Sequence, residues 1–376
     1  MSKRWFIGVT RTGKILTEVF PSAAGWSVGL NSVASSESAV FELADDVNRK
    51  LRNSSRTDDW VRSLVTVEND RVRDVRLISD WDLDRDNQRL TVNLADVQEV
   101  FASRYPFGVT SYWVDEANRI PGKFSVSGLE WRSIAVRVLQ ESLVGPFDIY
   151  SLPIALPAVV AGSHAMEKFF ANFPRTDALL KEIRETAGGP DMTFRPRWKA
   201  GLEFQYFEWL AVFGTDVAPA IVGKVWDFYM NTTKPGLTKV RKRKDGNKKI
   251  TGAFSIGAGS GDDLLVYGRG TGNEGDVTSV AMDVQDSFKD IDQLPELVQQ
   301  TTSRISAFRN STEQWSAQYL SEGDRDLSAV IPGDVFRLHF AGDFWESDGH
   351  VDLRVMTLSG DESPLVTPAL QAMVVT

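Results

Sequence analysis

The 376-residue chain carries 51 acidic and 42 basic side chains, a formal charge of −9, with 42% hydrophobic and 25% charged residues. That composition is ordinary for a globular protein, the length predicts about two to four domains, and the acidic balance argues against a general nucleic-acid binder. With no cysteine in the sequence, disulfides, thiol nucleophiles and thiolate metal sites are excluded.

The N-terminus has a basic start but too short an apolar run for a secretory signal. The longest weakly polar stretch, Leu152 to Ala161, carries two prolines and falls well short of the about twenty residues a membrane helix needs. Synthesis in the cytoplasm is expected.

In chain order, Trp5 to Thr10 and Lys14 to Phe20 read as short strands around an Arg11-Thr12-Gly13 turn. Ser35 to Arg49 suits a helix or an edge strand. Trp60 to Val67, Val72 to Leu83 and Leu90 to Leu94 alternate as strands, with Asp82 to Gln88 as a hairpin turn. Asp96 is placed to cap a helix that Pro106 stops. Val109 to Val114 and Gly122 to Val126 are strand-like. Gly128 to Leu143 has helical spacing and ends at Gly145-Pro146. A proline-punctuated loop, Ser151 to Gly162, precedes a second helix from Thr176 to Ala187.

Phe194 to Gly270 is the most distinctive stretch. Phe194, Trp198, Phe204, Tyr206, Phe207, Trp209 and Phe213 crowd its first part, several alternating with polar neighbours as a strand with one buried face would. A basic turn follows, with Lys239, Arg241, Lys242, Arg243, Lys244, Lys248 and Lys249 as candidate partner-contact residues. An apolar strand ending in glycines closes the stretch. Gln293 to Phe308 predicts a third helix, and Trp315 to Leu320, Val335 to Phe340 and Val351 to Leu358 predict strands separated by acidic turns.

Motifs that suggest chemistry each meet a plainer reading. Gly257 to Gly261 lacks the Lys-Ser/Thr pair of a phosphate loop, and Asp262-Asp263 in its place would repel a phosphate. Asp80, Asp82, Asp84 and Asp86 alternate like a calcium loop but without its glycine and glutamate, so a strand with a wet face explains them. Glu203 and Glu208 among aromatics are compatible with a glycosidase pair, or simply with the solvent face of a strand. The basic segment is either a hairpin tip kept soluble by charge or a contact for an anionic surface, nucleic acid in transit or an acidic neighbouring subunit. His164, His339 and His350 are too dispersed for a metal motif, and His164 has no partner pattern. No catalytic residue, cofactor site or metal site is assigned, and no enzymatic activity is expected.

Taken in order, the segments resemble the minor tail proteins that form the tip hub of long-tailed bacteriophages and the N-terminal part of tail-associated lysins. The likeness rests on LADVQEVFASRYPFG (Leu94 to Gly108), FSVSGLEWRSIAVRVL (Phe124 to Leu139), DMTFRPRW with the distant ITGAFSIGAGSG, and LSAVIPGDVFRLHF (Leu327 to Phe340) with its Pro-Gly-Asp turn. No peptidase or lysozyme-like extension is visible.

The resemblance implies a β-rich α+β chain of several small β-barrel-like domains with a helix-containing insertion, forming a ring-shaped hub. The expected divisions are a β-barrel-like domain at 1–127, a helical connection at 128–192, an aromatic insertion at 193–275 holding the basic loop 239–249, and a C-terminal helix and barrel-like domain at 276–376. It also implies a virion location at the tail tip and a homotrimer that contacts distal tail, tape-measure and other minor tail or receptor-binding proteins. DNA would pass through its bore, and the host cell surface is a further possible contact. An acidic wall suits such a conduit, because a basic one would hold DNA by its phosphates. The alternative from another class is a cell-surface carbohydrate-binding or glycan-cleaving tail module that stacks sugars on tryptophan.

Overall fold

β-Branched and aromatic runs broken by Gly, Asp and Asn turns favour strands over helices throughout the chain. In the computed structural model these runs form five sheets and four α-helices among the described residues. The described residues are 3–31, 36–52, 56–109, 122–145, 147–186, 188–233, 236–247, 249–270, 280–289, 291–308, 312–322 and 326–373. The class is α+β and β-rich, as expected. The hydrogen-bonded strand orders are open, and no closed barrel occurs among the described residues. The expected strand at Val109 to Val114 falls mostly outside them.

Two compact units divide the chain: Met1–Lys239 with Ala317–Met373, and a second built mainly from Val240–Ser316. In the first unit a seven-stranded sheet has the order Ile15–Val19, Arg4–Val9, Arg62–Glu68, Arg71–Asp84, Arg89–Ala95, Glu37–Glu42 and Ala23–Ala24. Its central strands are buried on both faces. Trp5, Ile7, Leu64 and Ile78 enter one core, while Phe6, Val65, Val75 and Leu77 enter another. The near-continuous apolar runs around Phe6 and Val65 are therefore two interleaved sets of core residues.

The second of these cores is closed by three helices and an aromatic strand pair. Helix α1 (Val97–Phe101) is only five residues long, and Asp96 and Glu99 form a full capping box at its start. Helix α2 (Trp131–Ser142) buries Ile134, Ala135, Val138 and Leu139 completely. Helix α3 (Thr176–Glu185) docks on it through a Thr176–Ser142 hydroxyl pair at 2.6 Å.

The sequence places the start of α2 too early. Lys123–Leu129 is a strand paired with His164–Phe169, so Leu129 belongs to a sheet. Leu202 to Tyr206 is likewise not strand: Phe204 sits at φ 60°, and the strand begins at Phe207 and pairs with Met192–Trp198. Gly13, at φ 73°, meets this strand where a Cβ would fall 2.0 Å from the Phe207 carbonyl oxygen, so only glycine fits.

The second seven-stranded sheet runs Val225–Tyr229, Val335–Phe340, Gly349–Gly360, Leu365–Ala372, Thr312–Leu320 and Thr238–Asp245. Its remaining strand comes from far upstream: Trp26–Gly29 pairs with Gly349–Gly360, in register Gly360↔Trp26. A Cβ on Gly360 would lie 2.8 Å from the Trp26 indole nitrogen, which fixes glycine there.

Charged groups are buried where this N-terminal segment meets the C-terminal chain. Glu68 is 1% exposed; Arg73 Nε lies 3.1 Å from its Oε2 and Lys3 Nζ 3.9 Å from its Oε1. Arg73 Nη1 donates to the carbonyls of Val330 (3.0 Å) and Ser328, and its guanidinium lies 4.8 Å from the Trp26 ring centroid. Lys3 donates to the Asp361 carbonyl at 2.7 Å and to that of Ser363, and Ser321 Oγ bonds Glu68 at 2.5 Å. Beside them Arg76 holds Asp74 at 2.9 Å, and Asp74 accepts the Ser27 amide at 3.1 Å. Burial pushes the Asp74 carboxyl up to about 6, against the pull of Arg76.

In the second unit Gly252–Ile256 is the middle strand, antiparallel to Val266–Arg269 and parallel to Asp283–Ser287. Helix α4 (Leu294–Phe308) covers this sheet through Ile305 and a Thr301–Ser255 hydroxyl bond at 2.7 Å.

Arg73→Met strands Glu68 in a dry site and lowers the unfolding free energy by about 3–5 kcal/mol, while Glu68→Gln combined with Arg73→Met costs markedly less; urea titration of both variants measures the difference. Asp74 has a folded pKa above its unfolded one, so its stabilisation is complete below about pH 4 and is lost as pH rises through about 6. The gap in unfolding free energy between wild type and Asp74→Asn should shrink over that window and stay flat above it.

Candidate functional site

The basic segment takes a form its composition does not announce. Lys239, Arg241, Lys242, Arg243 and Lys244 lie on a strand, Thr238–Asp245, where a turn was expected. Charge says nothing about backbone pairing, and here the neighbouring strand Thr312–Leu320 supplies the hydrogen bonds. The turn itself is short: the Asn247 amide bonds Asp245 Oδ1 at 2.9 Å, and the Lys249 amide bonds the Gly246 carbonyl at 3.0 Å. Lys248 lies outside the described residues. Lys239 has φ 49°, an irregularity at the strand's start.

Strand alternation sorts these charges onto two faces. Lys242 and Lys244 share Glu313, at 3.7 and 4.0 Å, and Lys242 lies 5.0 Å from the ring of buried Trp315. Arg241 and Arg243 point the other way, and Arg243 pairs with Asp245 at 3.0 Å. The arrangement is a ribbon of cations, half of it neutralised from the adjacent strand. It presents an extended line of positive charge along one strand.

The other motifs resolve into structural roles. Gly257 to Gly261 is a turn: the Gly257 amide bonds the Leu265 carbonyl at 2.7 Å, and a single 3-10 turn, Gly261–Asp263, follows where a phosphate site would need a helix. Asp84 accepts from the Asn87 and Asp86 amides, and Asp80 from Asn93, so these carboxylates organise a hairpin. No cluster of metal-ligating side chains occurs among the described residues. Glu208 is held by Arg197 at 2.7 Å, and Glu203 accepts the Gly201 amide. Trp209, 1% exposed and edge-on to Phe207, has no face for a sugar.

Some polar and aromatic groups were not legible as sites. His164 does have a partner: its Nε2 is 3.0 Å from Asp216, and its ring stacks on Trp131 at 4.4 Å. His339 repeats the arrangement with Asp227 at 2.8 Å and Tyr229 at 4.6 Å. The turn between Val335–Phe340 and Gly349–Gly360, read only as acidic, carries Phe344 at 96% and Trp345 at 77% exposure. Two large aromatics inside a turn were the signal available for it.

This arrangement of sheets, with a helix-closed core and an inserted second unit, is the fold of phage tail proteins. It is similar to the prophage MuSo2 43 kDa tail protein of Shewanella oneidensis, with a TM-score of 0.59 and 8% identity over 98% of each chain. The tail protein of Neisseria meningitidis MC58 is similar with a TM-score of 0.54 and 12% identity, over 98% of this chain and 96% of that one. By sequence, no family profile and no curated protein matches.

The two faces of the basic strand predict different costs. Arg241→Gln with Arg243→Gln leaves stability within about 0.5 kcal/mol, whereas Trp315→Ala costs about 3–5 kcal/mol, as calorimetric melting can check.

Proposed function

We propose that this chain is a structural component of a bacteriophage tail tip. It acts as a trimeric hub that closes the tail tube, contacts the distal tail and tape-measure proteins and gives DNA a way out at ejection, with no catalytic step. The observation that carries this reading is the end-to-end correspondence with the Shewanella prophage tail protein, 98% of each chain with no large unmatched part. The chain's charge of −9 favours a conduit that does not retain DNA. The cationic strand is then a contact for an acidic neighbouring subunit or an anionic cell surface. The carbohydrate-module reading loses its main support, because Trp209 is in the core and Glu208 is engaged by Arg197.

Purified protein analysed by light scattering at high concentration should weigh three times the 41.8 kDa chain. Gold-labelled antibody should mark one end of the tail in electron micrographs of virions. Label distributed along the tube, or absent from particles, would reject the assignment.

A further inference from the structure

The Phe344–Trp345 turn is built to stay presented. Asp343 Oδ1 accepts the amides of Trp345 and Glu346, each at 2.9 Å, and Asp348 Oδ1 accepts the Gly342 amide at 2.7 Å. These bonds fix the turn while its two rings remain 96% and 77% exposed. Rings of this kind bury about 150–250 Å² each when covered, so leaving both in water on an ordered turn is a standing cost. Three carboxylates, Asp343, Glu346 and Asp348, flank them.

The same unit carries a cavity with the opposite character. It has a volume of about 620 Å³ and is walled by Trp60, Val61, Leu77, Val100, Ile149 and Leu152. Trp60, Val61 and Ile149 are 46%, 47% and 62% exposed, so the described residues leave the walls open to a visitor. Arg11 stands exposed at this cavity. Arg104 there donates to the carbonyls of Ser142, at 3.2 Å, and Tyr150, and Glu99 accepts the Asp96 amide in the α1 capping box. The volume lies within the roughly 300–1,000 Å³ of pockets that enclose ligand-sized groups. An aromatic pair with acidic flanks thus matches, in size, polarity and charge, an apolar cavity with the Arg11 cation at its edge.

We propose that the occupant of this cavity is the Phe344–Trp345 turn of a second copy of the chain. Turn and cavity share no residue, so one copy can offer its turn while its own cavity takes the turn of the next, and such a head-to-tail contact closes into a ring when its rotation permits. The inference rests on the oligomeric hub reading above and supplies the contact that reading lacks.

The test compares association by sedimentation and light scattering. Phe344→Ala with Trp345→Ala should weaken self-association more than about thirtyfold, the scale of a hot spot, and leave the circular dichroism spectrum of the folded chain unchanged because both side chains are exposed within it. Ile149→Glu should do the same from the cavity side, and it carries the test if the turn variant fails to fold. Since the chain has no cysteine, Ser347→Cys and Thr12→Cys proteins mixed with a bis-maleimide should give a cross-linked pair containing one of each. A turn variant that keeps the wild-type mass and association constant overturns this contact while leaving the trimer standing. A wild-type protein that is monomeric at high concentration overturns both. A turn variant that remains trimeric but loses attachment to vesicles or host cells assigns the turn to another occupant and also overturns the proposal.

Discussion

Glu68 is the constraint around which the larger unit is arranged. A carboxylate with 1% exposure is tolerable only when cations and donors reach it, and here they come from separate parts of the chain: Lys3, Arg73 and Ser321. Arg73 in turn bonds carbonyls at 328 and 330, and Lys3 bonds carbonyls at 361 and 363. Apolar contact alone would tolerate a small slip between the N-terminal sheet and the C-terminal chain. A buried charge with directional partners does not, so the network sets the register in which the two are joined.

The strand Trp26–Gly29 works in the same direction. It leaves the N-terminal sheet after Ala23–Ala24 and completes the C-terminal one, with Trp26 packed over Gly360 and beneath the Arg73 guanidinium. Asp74 and Arg76 then hold Ser27 from the first sheet's longest strand. Backbone pairing and buried charge thus reinforce one connection, and the exposed turn at Phe344–Trp345 projects from a sheet braced in this way.

How much of this was legible in the sequence depended on how local the cause was. The α1 cap could be read because Asp96 and Glu99 act within one turn. Most strands of the first sheet could be read from their apolar runs, but not the fact that Phe6 and Ile7 face different cores, since that needs partners on both sides. The strand His164–Phe169 was missed, and α2 misplaced, because the pairing that organises both spans Leu129 to His164. Leu202 to Tyr206 alternated convincingly, yet Phe204 adopts a left-handed turn. At the basic segment composition gave the charge and concealed the strand. The glycine motif was readable as a turn from the two aspartates after it, whereas the Phe344–Trp345 turn was hidden by its acidic neighbours.

The bond from Lys3 to Asp361 joins residues 358 positions apart. At about 5–20 residues per second of synthesis, the first of these waits roughly 20–70 s for its partner to emerge. Throughout that interval a lysine and a glutamate destined for a dry site remain hydrated, and the edge awaiting Trp26–Gly29 has not yet been made. A polypeptide cut short before residue 361 therefore lacks the carbonyls that seat Lys3. Synthesis must pass residue 363 before the two ends of the larger unit can be fastened by these bonds.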